Sequence, residues 1–213
     1  MVPSQLVPSE NELSKTYGIS RMTARSVLMT LVKEGLIYRV QGKGTYVSQP
    51  KISTTSPAYV GIREQLEKQG YSITTQVINY EIIEAPKRVA EALNLSPKAQ
   101  IIHIKRVRYA NEEPVSIHES YLPYALCHDF DKSQIVTTQL CNILENNYGL
   151  ISTRVHETLE SVIAIRDESE LLRIDKGYPL LLLNDINYNS AGVPFEFSKI
   201  VFRGDKIKLE FDY

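Results

Sequence analysis

The sequence predicts an α+β chain of two modules, a small helical head followed by a larger body built on a mostly antiparallel sheet. Three observations carry that expectation. Two helix-start signatures and a glycine-bounded hairpin fall within residues 1–48, a polar proline-bounded stretch follows at 49–58, and residues 59–213 alternate strand-like runs with short helical pieces. At 213 residues, 43% hydrophobic and 23% charged, the chain is long enough for one small and one medium packed domain.

The first helix is signalled at Pro8-Ser9-Glu10-Asn11-Glu12-Leu13, with Ser9 as N-cap and Glu12 placed to close a capping box. It is expected to run to Tyr17 and stop at Gly18. Ser20 is a second N-cap, opening a helix from Arg21 to about Glu34 that Gly35 ends. On that helix Ala24, Val27, Leu28, Leu31 and Val32 share one face, while Arg21 and Arg25, one turn apart, lie toward the other. Two helices joined by a short turn, the second opening with arginine and hydroxyl residues, suit a recognition helix whose N-terminal end enters the major groove. An ordinary helical hairpin with solvated arginines explains this stretch alone as well. The hairpin that follows separates the two readings: Leu36–Val40 and Thr45–Val47 are β-prone runs joined by Gln41-Gly42-Lys43-Gly44. Glycines let such a tip approach a groove wall, and Lys43 supplies charge there.

Charge is divided unevenly. Residues 1–50 hold six basic residues against three acidic ones, a net +3, so the remainder carries −4 of the chain's overall −1. Only a DNA-reading head needs to approach phosphate, although an imbalance this small also arises by chance on a solvated surface. Cys127 and Cys141 form no CxxC pair, so neither a disulfide framework nor a zinc site is indicated. No leader-like start and no long apolar run are present, and the protein is expected to be cytoplasmic with no membrane partner.

Residues 49–58 are polar and aperiodic and read as a linker. Tyr59–Lys68 reads as a helix. Strand-like runs follow at 75–84, 100–110, 115–122, 155–165, 179–189 and 195–202, with helical pieces at 86–93, 138–146 and 168–172. Turn signals at Asn111–Pro114 and Ser190–Gly192 join neighbouring strands as hairpins, which makes the sheet largely antiparallel.

Charged residues within these strands mark the body's candidate site. Arg106 and Arg108 alternate with Val107 and Tyr109 and so share one face of a strand. Glu119, Glu157 and Glu196 each interrupt an apolar-rich run. Any one of them alone reads as a solvent-facing strand residue, but two cations and three carboxylates on one sheet can line a polar pocket.

The head motifs, from Pro8-Ser9-Glu10 through Tyr17-Gly18-Ile19-Ser20-Arg21-Met22-Thr23-Ala24-Arg25 and Glu34-Gly35-Leu36 to Gly42-Lys43-Gly44-Thr45-Tyr46-Val47, resemble the winged helix-turn-helix of GntR-type bacterial regulators. The resemblance implies contacts to double-stranded operator DNA, with Ser9, Ser20, Arg21, Thr23, Arg25, Gly42, Lys43 and Gly44 as the candidate set. It also places a further helix before Pro8, for which only Met1–Val7 remain, so the head is expected to lack its first helix. In the body, Arg106 to Val115, His118 to Pro123, Tyr148-Gly149 and Phe195 to Asp205 resemble the UTRA effector domain of the HutC branch, which has a chorismate-lyase-like antiparallel sheet. That resemblance implies a small anionic effector, a sugar phosphate or organic acid, held by Arg106 and Arg108, with Glu119 and Glu196 bonding its hydroxyl or amine groups; Glu157 and Ser198 complete the candidate set. The working unit is expected to be a homodimer, a repressor released by the effector with an activator as the alternative, and with no cofactor and no metal. Two rival classes are a lyase-like enzyme on the same fold and a ligand-independent DNA binder. Four histidines without metal-ligand spacing, and no nucleophile elbow or phosphate loop, speak against the first. The two-arginine strand speaks against the second.

Overall fold

The computed structural model describes residues 4–55 and 61–211, and the chain divides into two compact units between Ile52 and Ser53. In the first unit, the strand β1 (Leu6–Val7) precedes α1 (Glu10–Tyr17), α2 (Arg21–Lys33), β2 (Ile37–Val40) and β3 (Gly44–Val47). Ser9 caps α1 in a complete capping box, donating its N–H to Glu12 Oε2 at 2.7 Å while its Oγ accepts from the Glu12 N–H at 3.3 Å. Gly18 ends the helix at φ 65°, a left-handed conformation that glycine adopts without steric cost. Ser20 Oγ accepts the Thr23 N–H at 3.0 Å and starts α2.

Val7, Leu28 and Ile37 form the buried centre of this unit, with Leu13, Leu31, Val32 and Val47 packed around them. Val27, expected on the apolar face of α2, is 49% exposed; only Ala24 and Leu28 of that helix are buried. The sheet order is β1-β3-β2, and β1 is an addition that a two-residue strand gives no periodic signal to announce. Gly44 adopts φ 129°, a backbone conformation that favours glycine.

The second unit is built on a six-stranded sheet of order β5-β6-β7-β10-β9-β8 with every neighbour antiparallel. Its strands are β5 (Ile73–Glu84), β6 (Gln100–Ala110), β7 (Glu113–Pro123), β8 (Arg154–Ile163), β9 (Pro179–Tyr188) and β10 (Pro194–Arg203). Alternation sends successive side chains to opposite faces. On one face, called the front, Ile102, Ile104 and Leu122 join Phe130, Ile135 and the helix α5 (Leu140–Tyr148) in the largest core cluster. On the back, Val107, Ile117 and Val201 pack under α6 (Arg166–Leu172), and Ile101 and Phe197 under α4 (Lys87–Ala92). The helix α3 (Ile62–Lys68) precedes the sheet; the expected helix start at Tyr59 lies outside the described residues.

The linker expected at 49–58 needs correction. Ile52–Thr54 form a strand, β4, paired with β11 (Ile207–Leu209), and the Glu210 N–H donates to Thr54 O at 2.9 Å. A strand of three residues is too short to show a period, and its partner lies at the far end of the sequence. The linker residues 56–58 lie outside the described residues. Among the described residues no helix is long and apolar enough to cross a membrane, and no group of His, Cys, Asp and Glu could hold a metal ion.

Candidate functional site

In the first unit, the start of α1, the start of α2 and the β2–β3 tip surround one concave surface of about 560 Å³. Of the candidate DNA-binding residues, Ser9, Arg21, Gly42, Lys43 and Gly44 line it. Ser20, Thr23 and Arg25 do not, but all three are exposed on the first turns of α2 or at its cap. The hydroxyls of Ser9 and Ser20 are engaged as caps, and Ser20 Oγ also lies 2.8 Å from Thr23 Oγ1, so these serines orient helix starts. Arg39 is tied to Glu10 at 3.0 Å, leaving Arg21, Arg25 and Lys43 as the exposed cations nearest the tip and the helix start.

In the second unit a cavity of about 50 Å³ sits over the middle of the sheet's front face. Its floor comes from four strands in register. Arg106 stands opposite His118, Ser120 opposite Ser198, and Ser198 opposite Asp185. Glu196, two residues before Ser198 in unbroken register, shares its face and stands opposite Asn187. The roof is the chain at Gly61–Ile62 and the start of α5 at Gln139, Leu140 and Cys141.

Charge in this cavity is buried and incompletely bonded. Arg106 is 3% exposed and Arg108 6% exposed. Arg106 Nη2 donates to Ser120 Oγ at 2.9 Å and Arg108 Nη1 to Thr75 Oγ1 at 3.0 Å. Among the described residues, Arg106 Nε and Nη1, Arg108 Nε, Asp185 Oδ1 and Gln139 Oε1 are buried without a hydrogen-bond partner. Each such group costs about 1–3 kcal/mol, and more when charged, unless something else satisfies it. Burial, and then the neighbouring Arg106 and Arg63, pull Arg108 down to about 9, so it stays cationic at neutral pH. Burial and the two guanidiniums hold His118 well below the usual imidazole range, leaving it neutral with Nε2 2.9 Å from Ser116 Oγ. Burial raises the Asp185 carboxyl to about 7, against a hydrogen bond from Ser198 Oγ at 2.9 Å that lowers it, and also raises Glu196.

The structure thus brings together Arg106, Arg108, Glu196 and Ser198 of the expected effector set. Glu119 is a correction: it stands on the back face, accepting from Tyr121 OH at 2.8 Å and lying 3.5 Å from Lys105 Nζ. Strand alternation is the reason, because His118 and Ser120, on either side of it, take the front. Glu157 is opposite Asp185 in register but is not part of the cavity lining. His118, Ser120, Asp185, Asn187 and Gln139 are lining residues absent from the expected set. Counting by two along β9 from Leu183, a buried apolar position, would have found Asp185 and Asn187 as polar interruptions of one face.

Comparison with known proteins agrees with this architecture. Residues 1–47 match the family described as bacterial regulatory proteins, gntR family, and residues 68–208 match the UTRA domain. The chain is 34% identical to the HTH-type transcriptional repressor NagR of Bacillus subtilis, over 96% of this chain and 84% of that protein. It is 31% identical to the histidine utilization repressor of Pseudomonas aeruginosa, over 98% of this chain and 82% of the relative. The crystal structure of PhnF from Mycobacterium smegmatis superposes with a TM-score of 0.73 at 24% identity, covering all (100%) of this chain and 93% of that one, a likeness of fold. The chain belongs to the GntR family of bacterial regulators, in its UTRA-bearing HutC branch, and is a DNA-binding transcriptional regulator rather than an enzyme.

Proposed function

We propose that this regulator is a repressor that leaves its operator when a small anionic metabolite, a phosphorylated sugar or a related acid, occupies the front-face cavity. The observation that carries the reading is the set of buried guanidinium N–H groups of Arg106 and Arg108 that have no partner among the described residues. Two guanidiniums offer planar donor pairs that match phosphate or carboxylate oxygens. Asp185 and Glu196 stand as acceptors at the same cavity and suit hydroxyl or amine groups on the metabolite. Relatives support the small-metabolite class by name, among them the probable fructoselysine utilization operon repressor and the mannosyl-D-glycerate transport/metabolism system repressor of Escherichia coli.

The exposed start of α2 and the Gly42–Gly44 tip are proposed as the operator-reading elements, with the head and the body, to whose β11 the strand β4 is paired, acting as separate modules. The working unit is proposed to be a homodimer, which sets two heads on a palindromic site with half-sites about one DNA turn apart. Effector and operator affinities must then change reciprocally.

A thermal-shift panel of sugar phosphates and organic acids tests the reading. A ligand at about 100 times its Kd adds about 2.7 kcal/mol of stability, and Arg106→Ala is expected to abolish that gain. Wild-type protein that responds to no anion, or a response that survives in Arg106→Ala, rejects it.

A further inference from the structure

The cavity over the sheet is smaller than any metabolite the proposed function requires. At about 50 Å³ it holds a few waters or a bare oxyanion, whereas sites for organic ligands enclose roughly 300 Å³ or more. One wall must therefore yield when an ester with an organic body binds. The floor cannot, because β6, β7, β10 and β9 are interior strands held by backbone ladders along both edges. The roof is differently made, from two helix starts that meet edge to edge.

Gln139, the N-cap residue of α5, lies 6% exposed against Gly61, the N-cap residue of α3. A Cβ at Gly61 would overlap the Gln139 carboxamide, so glycine is what lets this side chain lie there. The joint itself is weak. Gln139 Nε2 reaches Gly61 O at a long 3.4 Å, and Gln139 Oε1 is buried with no partner among the described residues. Alongside, Arg63 Nη1 ties α3 to the chain before α5 through Val136 O at 3.2 Å and Thr137 O at 2.7 Å. A buried unsatisfied acceptor and one marginal hydrogen bond make the carboxamide the part of the lining that is easiest to displace.

We infer that the Gln139 side chain, seated against Gly61, is a plug that sets the size of effector the cavity accepts. With it in place the arginine end takes only a small oxyanion; with it swung out, the space above Arg106 and Arg108 admits the organic part of a phosphate ester. The inference rests on the anion reading of the cavity.

The test uses the full chain and two probes, orthophosphate and glycerol 3-phosphate, titrated calorimetrically into wild type, Gln139→Ala and Gly61→Ala. Gly61→Ala keeps the carboxamide but denies it its seat, and thermal melting checks that both variants fold. The ratio of ester to orthophosphate affinity is expected to rise at least tenfold in each variant. A ratio that is unchanged or lower in the folded variants overturns the plug while leaving the anion site standing. Failure of orthophosphate to bind wild type at all, or binding that persists in Arg106→Ala, removes the anion reading and the plug together.

Discussion

The two faces of the sheet treat charge in opposite ways, one residue apart on the same strands. Across the back, Lys105, Glu119 and Lys199 stand opposite one another in register, a row of alternating sign. Lys105 also pairs with Asp167, Lys199 with Glu168 at 3.5 Å, and His103 with Glu81 at 3.1 Å. One step along, the front row places Arg106 opposite His118, and His118 opposite Ile200. There the cations face no carboxylate in register. The titration behaviour follows. The His103 ring, 3.6 Å away, the hydrogen bond from Tyr121 and the nearby lysines bring Glu119 down to about 2, although burial opposes them. The nearby Glu119 carboxylate, and after it Glu81, raise His103 against the effect of burial. On the front, burial dominates and moves every group toward its neutral form, as it does for Arg106, His118, Asp185 and Glu196. Paired charge on the back holds α6 to the sheet, whereas underbonded charge on the front weakens the fold and leaves donors and acceptors for a ligand.

The sharpest way to break this contrast is to remove one cation from each face. Arg106→Met should weaken orthophosphate binding by at least about thirtyfold, since truncating a buried charge partner costs about 2–5 kcal/mol of binding. The same change should leave the unfolding free energy little altered, because it removes buried guanidinium N–H groups that have no partner among the described residues, which offsets the lost attraction between Arg106 and Glu196. Lys105→Met on the back should do the reverse, lowering stability and leaving orthophosphate binding intact. Urea unfolding beside calorimetric titration reads both. If Arg106→Met proves the more destabilising of the two, the front face is an ordinary core and the contrast is lost.

The carboxylates sharpen it through pH. Because Asp185 titrates near 7 in the fold, the native state keeps a proton that the unfolded chain has released above about pH 4. Stability therefore falls as pH rises from about 4 to about 7, by this group's contribution. Asp185→Asn should be more stable than wild type by about 1–3 kcal/mol at pH 8 and nearly equal to it at pH 4, with Ser198 still able to donate to the amide oxygen. Denaturant titrations at the two pH values check this, and a larger gain at pH 4 than at pH 8 would contradict it.

Glu119 has the opposite sign. Its pKa is depressed, so its contribution is present above the unfolded carboxyl value near 4 and is lost as pH falls toward 2. Glu119→Gln should lose about 1–2 kcal/mol at pH 7 and less at pH 3, with orthophosphate affinity unchanged. A loss of anion binding in this variant would return Glu119 to the site.

Which of these residues could be read from the sequence follows from how each signal is encoded. The caps at Ser9 and Ser20, the Gly42–Gly44 tip and the long strands depend on residues close together in the chain, and the helix and strand positions agree within a few residues. The arginine pair was legible because Arg106 and Arg108 lie two apart, which fixes a shared face whatever the sheet's orientation. Glu119 was misplaced because a single carboxylate carries no parity; only the register of β7 against β6, which sets His118 opposite Arg106, says which neighbour shares the arginines' face. Gln139 and Gly61 were invisible for a different reason. They are 78 residues apart and meet only because two helices begin at the same place.

Three exposed cations of the first unit offer a third arrangement of charge, held in water rather than buried, and so the smallest energetic consequence. Arg21, Arg25 and Lys43 are exposed to water, and solvated charges of this kind contribute little to folding. Arg25→Ala should leave the unfolding midpoint where it is, yet lower operator affinity several-fold across sequences. The slope of log affinity against log salt should become shallower by about one unit if the guanidinium meets a phosphate, since one fewer counterion is released. If Arg25 reads a base edge instead, the slope should hold and the loss should concentrate at one operator position, at about 1–3 kcal/mol per contact. Fluorescence anisotropy at several salt concentrations, on a set of operator variants, distinguishes the two. A fall in stability without any change in DNA affinity would show that this exposed cation belongs to the folding of the head and not to its interface.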